Sequence, residues 1–92
     1  MKSYLALVEK DPDSAYGVQF PDIPGCFSAA DRAEDILPNA IEALQLWRED
    51  MPLPHPSAHS DIVARPEVAR SLAEGAYLVC VPLIENDTAV VR

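Results

Sequence analysis

The sequence predicts an α+β fold with the element order β-β-β-α-(α)-β, within one domain of 92 residues. Three features predict it. Residues 2–20 hold two short runs of aromatic and branched side chains, which are typical of strands. Residues 33–51 place apolar side chains three and four positions apart, as a helix does. Residues 76–84 are almost continuously apolar, which suits a final strand.

The first two strands are expected to form an antiparallel hairpin. Residues 2–9 form the first strand, and residues 11–14 supply the aspartates and the proline that favour a turn. Tyr16, Val18 and Phe20 then alternate with smaller or polar residues, which indicates a half-buried second strand.

A tight turn separates this hairpin from a third, short strand over residues 26–30. Pro21 and Pro24 fix φ within the turn, and Gly25 is free to adopt positive φ. We assign these three residues to backbone geometry. The sequence therefore predicts three consecutive strands before the first helix.

The main helix follows, with Asp31 as its expected N-cap and Glu34 completing a capping box. Pro38 conflicts with this helix, because an interior proline costs about 3 kcal/mol. Either the helix kinks there, or residues 31–37 form a separate turn and Pro38 begins the main helix. We favour one kinked helix. Its apolar face is predicted to consist of Ala33, Ile36, Leu37, Ala40, Ile41, Leu44, Trp47 and Met51.

The segment after the helix lacks a periodic pattern. Alternating prolines predict an extended loop over residues 52–65, and loops of this length are often functional or mobile. Residues 66–74 read as a short helix that begins at Pro66. The last strand, over residues 76–84, should be covered on both faces or lie inside the sheet, with Pro82 at a fraying end or unpaired stretch.

These elements predict the sheet order 3-2-1-4. A single right-handed crossover places the last strand parallel to the first, so the sheet is expected to be mixed, with the main helix on one face. This arrangement is a partial ribonuclease H-like layout.

Charge excludes several classes of function. The chain has 15 acidic residues and 7 lysines and arginines, a formal charge of −8. This balance argues against direct binding to nucleic acid or to an anionic membrane, both of which attract basic clusters.

No apolar run is long enough to span a bilayer, and the N-terminus reads as a strand rather than a signal peptide. Cys26 and Cys80 both lie in apolar surroundings and are expected to be buried, reduced thiols, which fits the cytoplasm.

Catalytic chemistry finds little support. A two-metal nuclease requires converging carboxylates, and the predicted strand interiors contain none. His55 and His59 lie four residues apart, with Asp61 nearby, but Pro56 intervenes and no predicted helix aligns them. Cys26 reads as a structural thiol. We therefore predict no enzyme, no metal and no cofactor.

Binding to a protein is the better-supported possibility. The acidic residues are concentrated around the main helix, at Asp31, Glu34, Asp35, Glu42, Glu49 and Asp50. They form either a solvated helix face or a surface that steers the chain toward a basic protein. Trp47 is expected in the core, and Tyr16 is open to either a core or an interface role.

Several motifs together resemble one known family. Residues 20–26 read Phe-Pro-Asp-Ile-Pro-Gly-Cys at the end of a strand, and residues 39–44 read Asn-Ala-Ile-Glu-Ala-Leu. Residues 53–57 read Leu-Pro-His-Pro-Ser, and the last strand contains Val81-Pro82. The same motifs occur in the HicB antitoxin family, so residues 2–84 resemble that family.

The resemblance implies a bacterial type II antitoxin with the partial ribonuclease H-like fold and no catalytic activity. Its partner would be a HicA-type toxin, a small basic messenger-RNA endoribonuclease with a catalytic histidine. Family antitoxins cover or distort the toxin's active site, and they self-associate as dimers or tetramers through this domain. Many also repress their own operon through a C-terminal DNA-binding domain.

The sequence departs from the longer pattern at residues 89–92, where it stops about where a DNA-binding element would begin. The chain is either naturally short or truncated, and operator binding by these residues is in doubt. The alternative function is an autoregulator of its own operon, or the oligomerisation domain of one. Our predicted partner contacts are Tyr16 and Asp22 in the hairpin and turn, with Glu42 and Glu49 on the acidic side of the helix.

Overall fold

A computed structural model describes residues 2–84 and confirms the α+β class. The strands are β1 (Ser3–Lys10), β2 (Tyr16–Gln19), β3 (Phe27–Ala30) and β4 (Tyr77–Pro82). The helices are α1 (Ala33–Asp50), α2 (His59–Val63) and α3 (Pro66–Ala73). The chain end at residues 89–92, discussed above, lies outside the described residues.

The sheet has the predicted order β3-β2-β1-β4, and β1 and β2 form the predicted antiparallel hairpin. The predicted direction of the last strand is wrong. β4 is antiparallel to β1, with Ser3 opposite Pro82 and Val8 opposite Tyr77, so the sheet is antiparallel throughout rather than mixed. The crossover rule assumed one helical pass between β3 and β4. The chain makes a second pass through α2 and α3, which reverses its direction of entry into β4.

Alternation along β1 divides the core between the two faces of the sheet. Tyr4, Ala6 and Val8 pack with α1 on one face, whereas Leu7 packs with α2 and α3 on the other. Neighbouring side chains of a strand point to opposite faces, so one strand serves both clusters. The α1 cluster includes Val18, Phe20, Ile23, Cys26, Ile36, Ala40, Leu44 and Val81, and the smaller cluster includes Ile62 and Val68.

The loop predicted over residues 52–65 is wrong for residues 59–63, which form α2. Its one buried side chain, Ile62, packs beside Leu7. A five-residue helix has almost no intrinsic stability. Its tertiary contact, which the sequence pattern does not show, therefore stabilises it.

The main helix is a single element that contains Pro38, so residues 31–37 do not form a separate turn. The predicted capping box is wrong, because the helix begins at Ala33 and Arg32 occupies the N-cap without a side-chain cap. Glu34 pairs instead with Arg32. The predicted apolar face is buried at Ile36, Ala40 and Leu44 and half-buried at Ile41 and Trp47, whereas Ala33, Leu37 and Met51 are exposed.

Cys26 is buried as predicted, but Cys80 is exposed, which contradicts the prediction. β4 is an edge strand, and Cys80 lies opposite Leu5, on the face away from α1. The short helices on that face leave the middle of β4 uncovered. The prediction that this strand is covered on both faces or lies inside the sheet is wrong for the same reason.

None of the helices within residues 2–84 combines the length and the apolar character that crossing a bilayer requires.

Candidate partner-binding surface

Asp22 is held inside the protein by two later segments of the chain. Its Oδ2 accepts a hydrogen bond from the backbone N–H of Ser57 at 2.7 Å, and its Oδ1 accepts one from the Ser57 hydroxyl at 2.8 Å. Arg65 donates from Nη2 to the same Oδ1 at 2.8 Å, and from Nη1 to the Pro21 carbonyl at 3.0 Å. These contacts join the turn after β2 to the start of α3 and to residues 52–57, which we call the proline-rich segment.

Burial by itself would raise the pKa of the Asp22 carboxyl, whose side chain is only 7% exposed. The hydrogen bonds from Ser57 and the charge of Arg65 outweigh that effect and hold the pKa below its usual range. The ionised carboxylate is thus the form that the fold stabilises.

A second contact anchors the proline-rich segment. The Tyr4 hydroxyl donates to the Pro54 carbonyl at 2.5 Å, and burial, followed by the nearby charge of Asp22, raises the pKa of that hydroxyl. The proline-rich segment is therefore held at two points, by Tyr4 of β1 and by Asp22 in the turn after β2.

Tyr16 lies at the start of β2, half-buried against the α1 side of the core. The ammonium group of Lys10 lies 5.6 Å from the centre of its ring, within the range of a cation–π contact. The contacts of Tyr16 and Asp22 given above involve neither Glu42 nor Glu49.

Glu42 lies beside an open groove of about 350 Å³ between β3 and α1. We call this groove the β3–α1 surface; it is lined by residues 27–29 of β3 and by Asn39, Glu42, Ala43 and Leu46 of α1. Asn39 fixes the helix to the strand, because its Nδ2 donates to the Ala29 carbonyl at 2.9 Å. Since β3 is an edge strand, no further strand of residues 2–84 lies beside this groove.

Two exposed apolar side chains were not among the predicted site residues. Leu46 lies on this surface, whereas Phe27 lies opposite Gln19, on the face of the sheet that packs against α3. Phe27 is 65% exposed and Leu46 is 56% exposed. A signal for Leu46 was present, since it is a large apolar residue of the helix that falls outside the predicted apolar face. Phe27 gave a weaker signal, because a short apolar strand does not reveal which of its faces is covered.

The side chains considered above for metal binding or nucleophilic chemistry are His55, His59, Asp61 and Cys26. Residues 2–84 contain no group of three histidine, cysteine or acidic side chains placed to hold a metal ion. His55 and His59 are exposed. The Cys26 thiol donates to the Ala43 carbonyl, and burial raises its pKa, which lowers its reactivity as a nucleophile.

The chain is similar to a known protein family and to several known proteins. Residues 4–87 match the family model of the HicB-like antitoxin of bacterial toxin–antitoxin systems. A UPF0150 protein of Synechocystis sp. is 32% identical over 65 residues, which cover 70% of this chain and 82% of that protein.

Solved structures agree with the sequence match. The antitoxin HicB of Burkholderia pseudomallei is similar with a TM-score of 0.71 and 30% identity, covering 94% of this chain and 66% of that chain. This chain thus spans slightly less than two thirds of that antitoxin. A chain of the HicA3 and HicB3 toxin–antitoxin complex is similar with a TM-score of 0.69 and 29% identity, covering 90% of this chain and 99% of that chain.

Proposed function

The chain belongs to the HicB-like antitoxin family of bacterial toxin–antitoxin systems, and from that premise we propose that it neutralises a HicA-type messenger-RNA endoribonuclease by covering its active site. The observation that carries this proposal is the match to a chain of a HicA3–HicB3 complex over 99% of that chain's length. The match covers 90% of this chain, so the partner would be recognised by this fold.

Electrostatics support the same partner. An enzyme that cleaves RNA must hold phosphates with basic residues. An inhibitor of formal charge −8 complements such a surface and is attracted to it from a distance. Covering an active site needs no reacting group, so the protein would act by binding alone. It would act in the cytoplasm, where messenger RNA is found. We propose that it does so as a homo-oligomer.

An RNA-cleavage assay tests this function. The product of the adjacent reading frame, tested as the HicA-type toxin, is mixed with a labelled messenger RNA, and this protein is added in increasing amounts. We expect cleavage to stop near equal molar amounts. Heat-denatured protein and an unrelated folded protein of similar negative charge serve as controls. Undiminished cleavage in the presence of excess folded protein would rule the proposal out.

A further inference from the structure

We propose that two copies of this chain join through the outer edge of β4, so that two four-stranded sheets continue into one of eight strands about a two-fold axis. The inference rests on the homo-oligomer of the proposed function and names its contact. It commits to one occupant of the β4 edge, a second copy of this chain.

The hydrogen bonds between β1 and β4 show which groups of β4 point outward. The Leu83 N–H donates to the Lys2 carbonyl at 2.9 Å, and these two residues continue the register of the two strands. In an antiparallel ladder, pairs that exchange hydrogen bonds alternate with pairs that do not. Val79 therefore bonds to β1, whereas the N–H and C=O groups of Leu78 and Cys80 point away from the sheet.

These outward groups have no hydrogen-bond partner within residues 2–84. Apart from the strand ladder, the hydrogen bonds of those residues involve neither Leu78 nor Cys80. Pro82 has the same outward phase, so its missing N–H removes no bond to β1. A strand that presents such groups is a template on which another strand can pair.

The spacing of the outward groups suits a copy of the same strand. Leu78 and Cys80 lie on either side of Val79, so a two-fold axis at Val79 sets Leu78 of each copy opposite Cys80 of the other. Each such pair exchanges hydrogen bonds in both directions, so every outward N–H gains an acceptor. On the α1 face, the exposed ring of Tyr77 would lie opposite Val81 of the other copy, as a cross-strand apolar pair.

Charge also favours a second copy at this edge. Each molecule carries a formal charge of −8, so two copies repel each other wherever their carboxylates meet. Residues 75–84, which comprise β4 and its flanks, contain no charged side chain. One acidic molecule can therefore approach another here, whereas a basic protein finds no carboxylate on the strand to pair with.

The other edge of the sheet is less suited to strand pairing. β3 has four residues, compared with six in β4, so it offers a shorter ladder. The Ala29 carbonyl of β3 already accepts a hydrogen bond from Asn39 of α1. β4 is therefore the edge that a second copy would extend.

Hydrogen exchange, followed for single amides by NMR, tests the contact without any substitution. The amides of Leu78 and Cys80 should exchange quickly in dilute protein and slowly in concentrated protein, because the dimer gives them acceptors. The Val79 amide is the internal control. It is bonded to β1 and should exchange slowly at both concentrations. Sedimentation measures the oligomeric state over the same range.

Variants of the two edges provide the matched comparison. C80P removes one outward N–H without removing a bond to β1, and C80K adds a charge to the edge. Each should raise the dissociation constant of the dimer about tenfold or more, because a two-fold contact loses every interaction twice. C80S keeps the N–H, and A29K places the same charge on the exposed edge of β3. Both should dimerise as the wild type does.

Circular dichroism and thermal unfolding show whether each variant is folded. If C80P does not fold, C80K and the exchange rates of the wild type still decide the question.

Three results would overturn the proposal. A wild type that stays monomeric at every concentration, with rapid exchange at Leu78 and Cys80, rejects the dimer. A dimer that A29K dissociates and C80K does not lies at β3 instead. Protection of Leu78 and Cys80 that appears only when the toxin is added assigns the edge to the toxin. In contrast, a protein that dimerises through β4 but leaves RNA cleavage undiminished supports this inference and rejects the proposed neutralisation alone.

Discussion

Arg65 donates a hydrogen bond of 2.8 Å from Nη2 to Oδ1 of Asp22, across 43 positions of the sequence. The same carboxylate accepts two hydrogen bonds from Ser57, so three segments of the chain meet at one charged group. We therefore assign Asp22 to holding the turn after β2 in place. A contribution to partner binding would be indirect, through the position of that turn.

Replacing Asp22 by asparagine should lower the free energy of unfolding at pH 7 by about 1.5–3 kcal/mol, since hydrogen bonds to charged groups contribute in that range. The effect should depend on pH in a defined direction. The folded-state pKa of Asp22 lies below the unfolded value of about 3.9. Its stabilisation is therefore complete above about pH 4 and is lost as the pH falls through the folded-state pKa.

Urea denaturation of wild type and D22N between pH 7 and pH 2.5 checks this prediction. The difference in unfolding free energy should be constant near neutrality and should shrink at acid pH. The exposed aspartate Asp31 provides the control, and D31N should differ little from wild type throughout. A difference that grows as the pH falls would contradict the assignment.

Replacing Gly25 should destabilise the fold for two separable reasons. Gly25 has a φ of +96°, and a Cβ added there would lie 3.2 Å from the Trp47 ring. Gly75 has a φ of +108° with no atom within 4 Å of an added Cβ, and Gly17 has neither constraint. The G75A variant should lose about 1–2 kcal/mol from backbone strain alone. G25A should lose more, G25V more still, and G17A little.

Thermal unfolding of the four variants measures this order. The comparison between G25A and G75A isolates the contact with Trp47, because both positions share the backbone strain. Equal losses at the two positions would show that the Trp47 ring moves aside at no cost.

Replacing Pro38 by alanine should raise the unfolding free energy by about 1–3 kcal/mol. Pro38 is exposed inside α1 and has no N–H to donate to the carbonyl four residues earlier. Alanine supplies that donor and removes the ring. Pro66 is the matched control, because it stands at the first position of α3, where a proline is well tolerated. P66A should change stability by a few tenths of a kcal/mol at most.

Urea titrations of P38A and P66A give the two values directly. A loss of stability in P38A would mean that the packing of α1 requires the geometry that the proline imposes.

The two cysteines should differ sharply in reactivity. Cys80 is exposed on an edge strand, whereas Cys26 is buried and its pKa is raised. A chromogenic disulfide reagent should titrate one thiol rapidly in the folded protein and two in denaturant. C80S should abolish the rapid reaction. Two rapid thiols in the native protein would contradict the burial of Cys26.

The family assignment, the strand hairpin, the positive φ of Gly25 and the buried part of the α1 face were all predictable from sequence. Each depends on residues close together in the chain, and hydrophobic periodicity and turn chemistry report local backbone geometry directly. Glu42 and Glu49 were also identifiable as an exposed acidic face. Their use as partner contacts stays a prediction.

What the tertiary structure alone decided is where distant segments meet. The direction of β4 depends on two helical passes on opposite faces, and α2 exists because Ile62 packs beside Leu7. The partners of Asp22, Ser57 and Arg65, lie 35 and 43 residues away in the sequence. The exposure of Phe27 and Cys80 follows from edge positions in the sheet. Periodicity shows that a residue lies on one face of its own strand or helix. It does not show which other element covers that face, because that choice is made by the free energy of packing the whole chain.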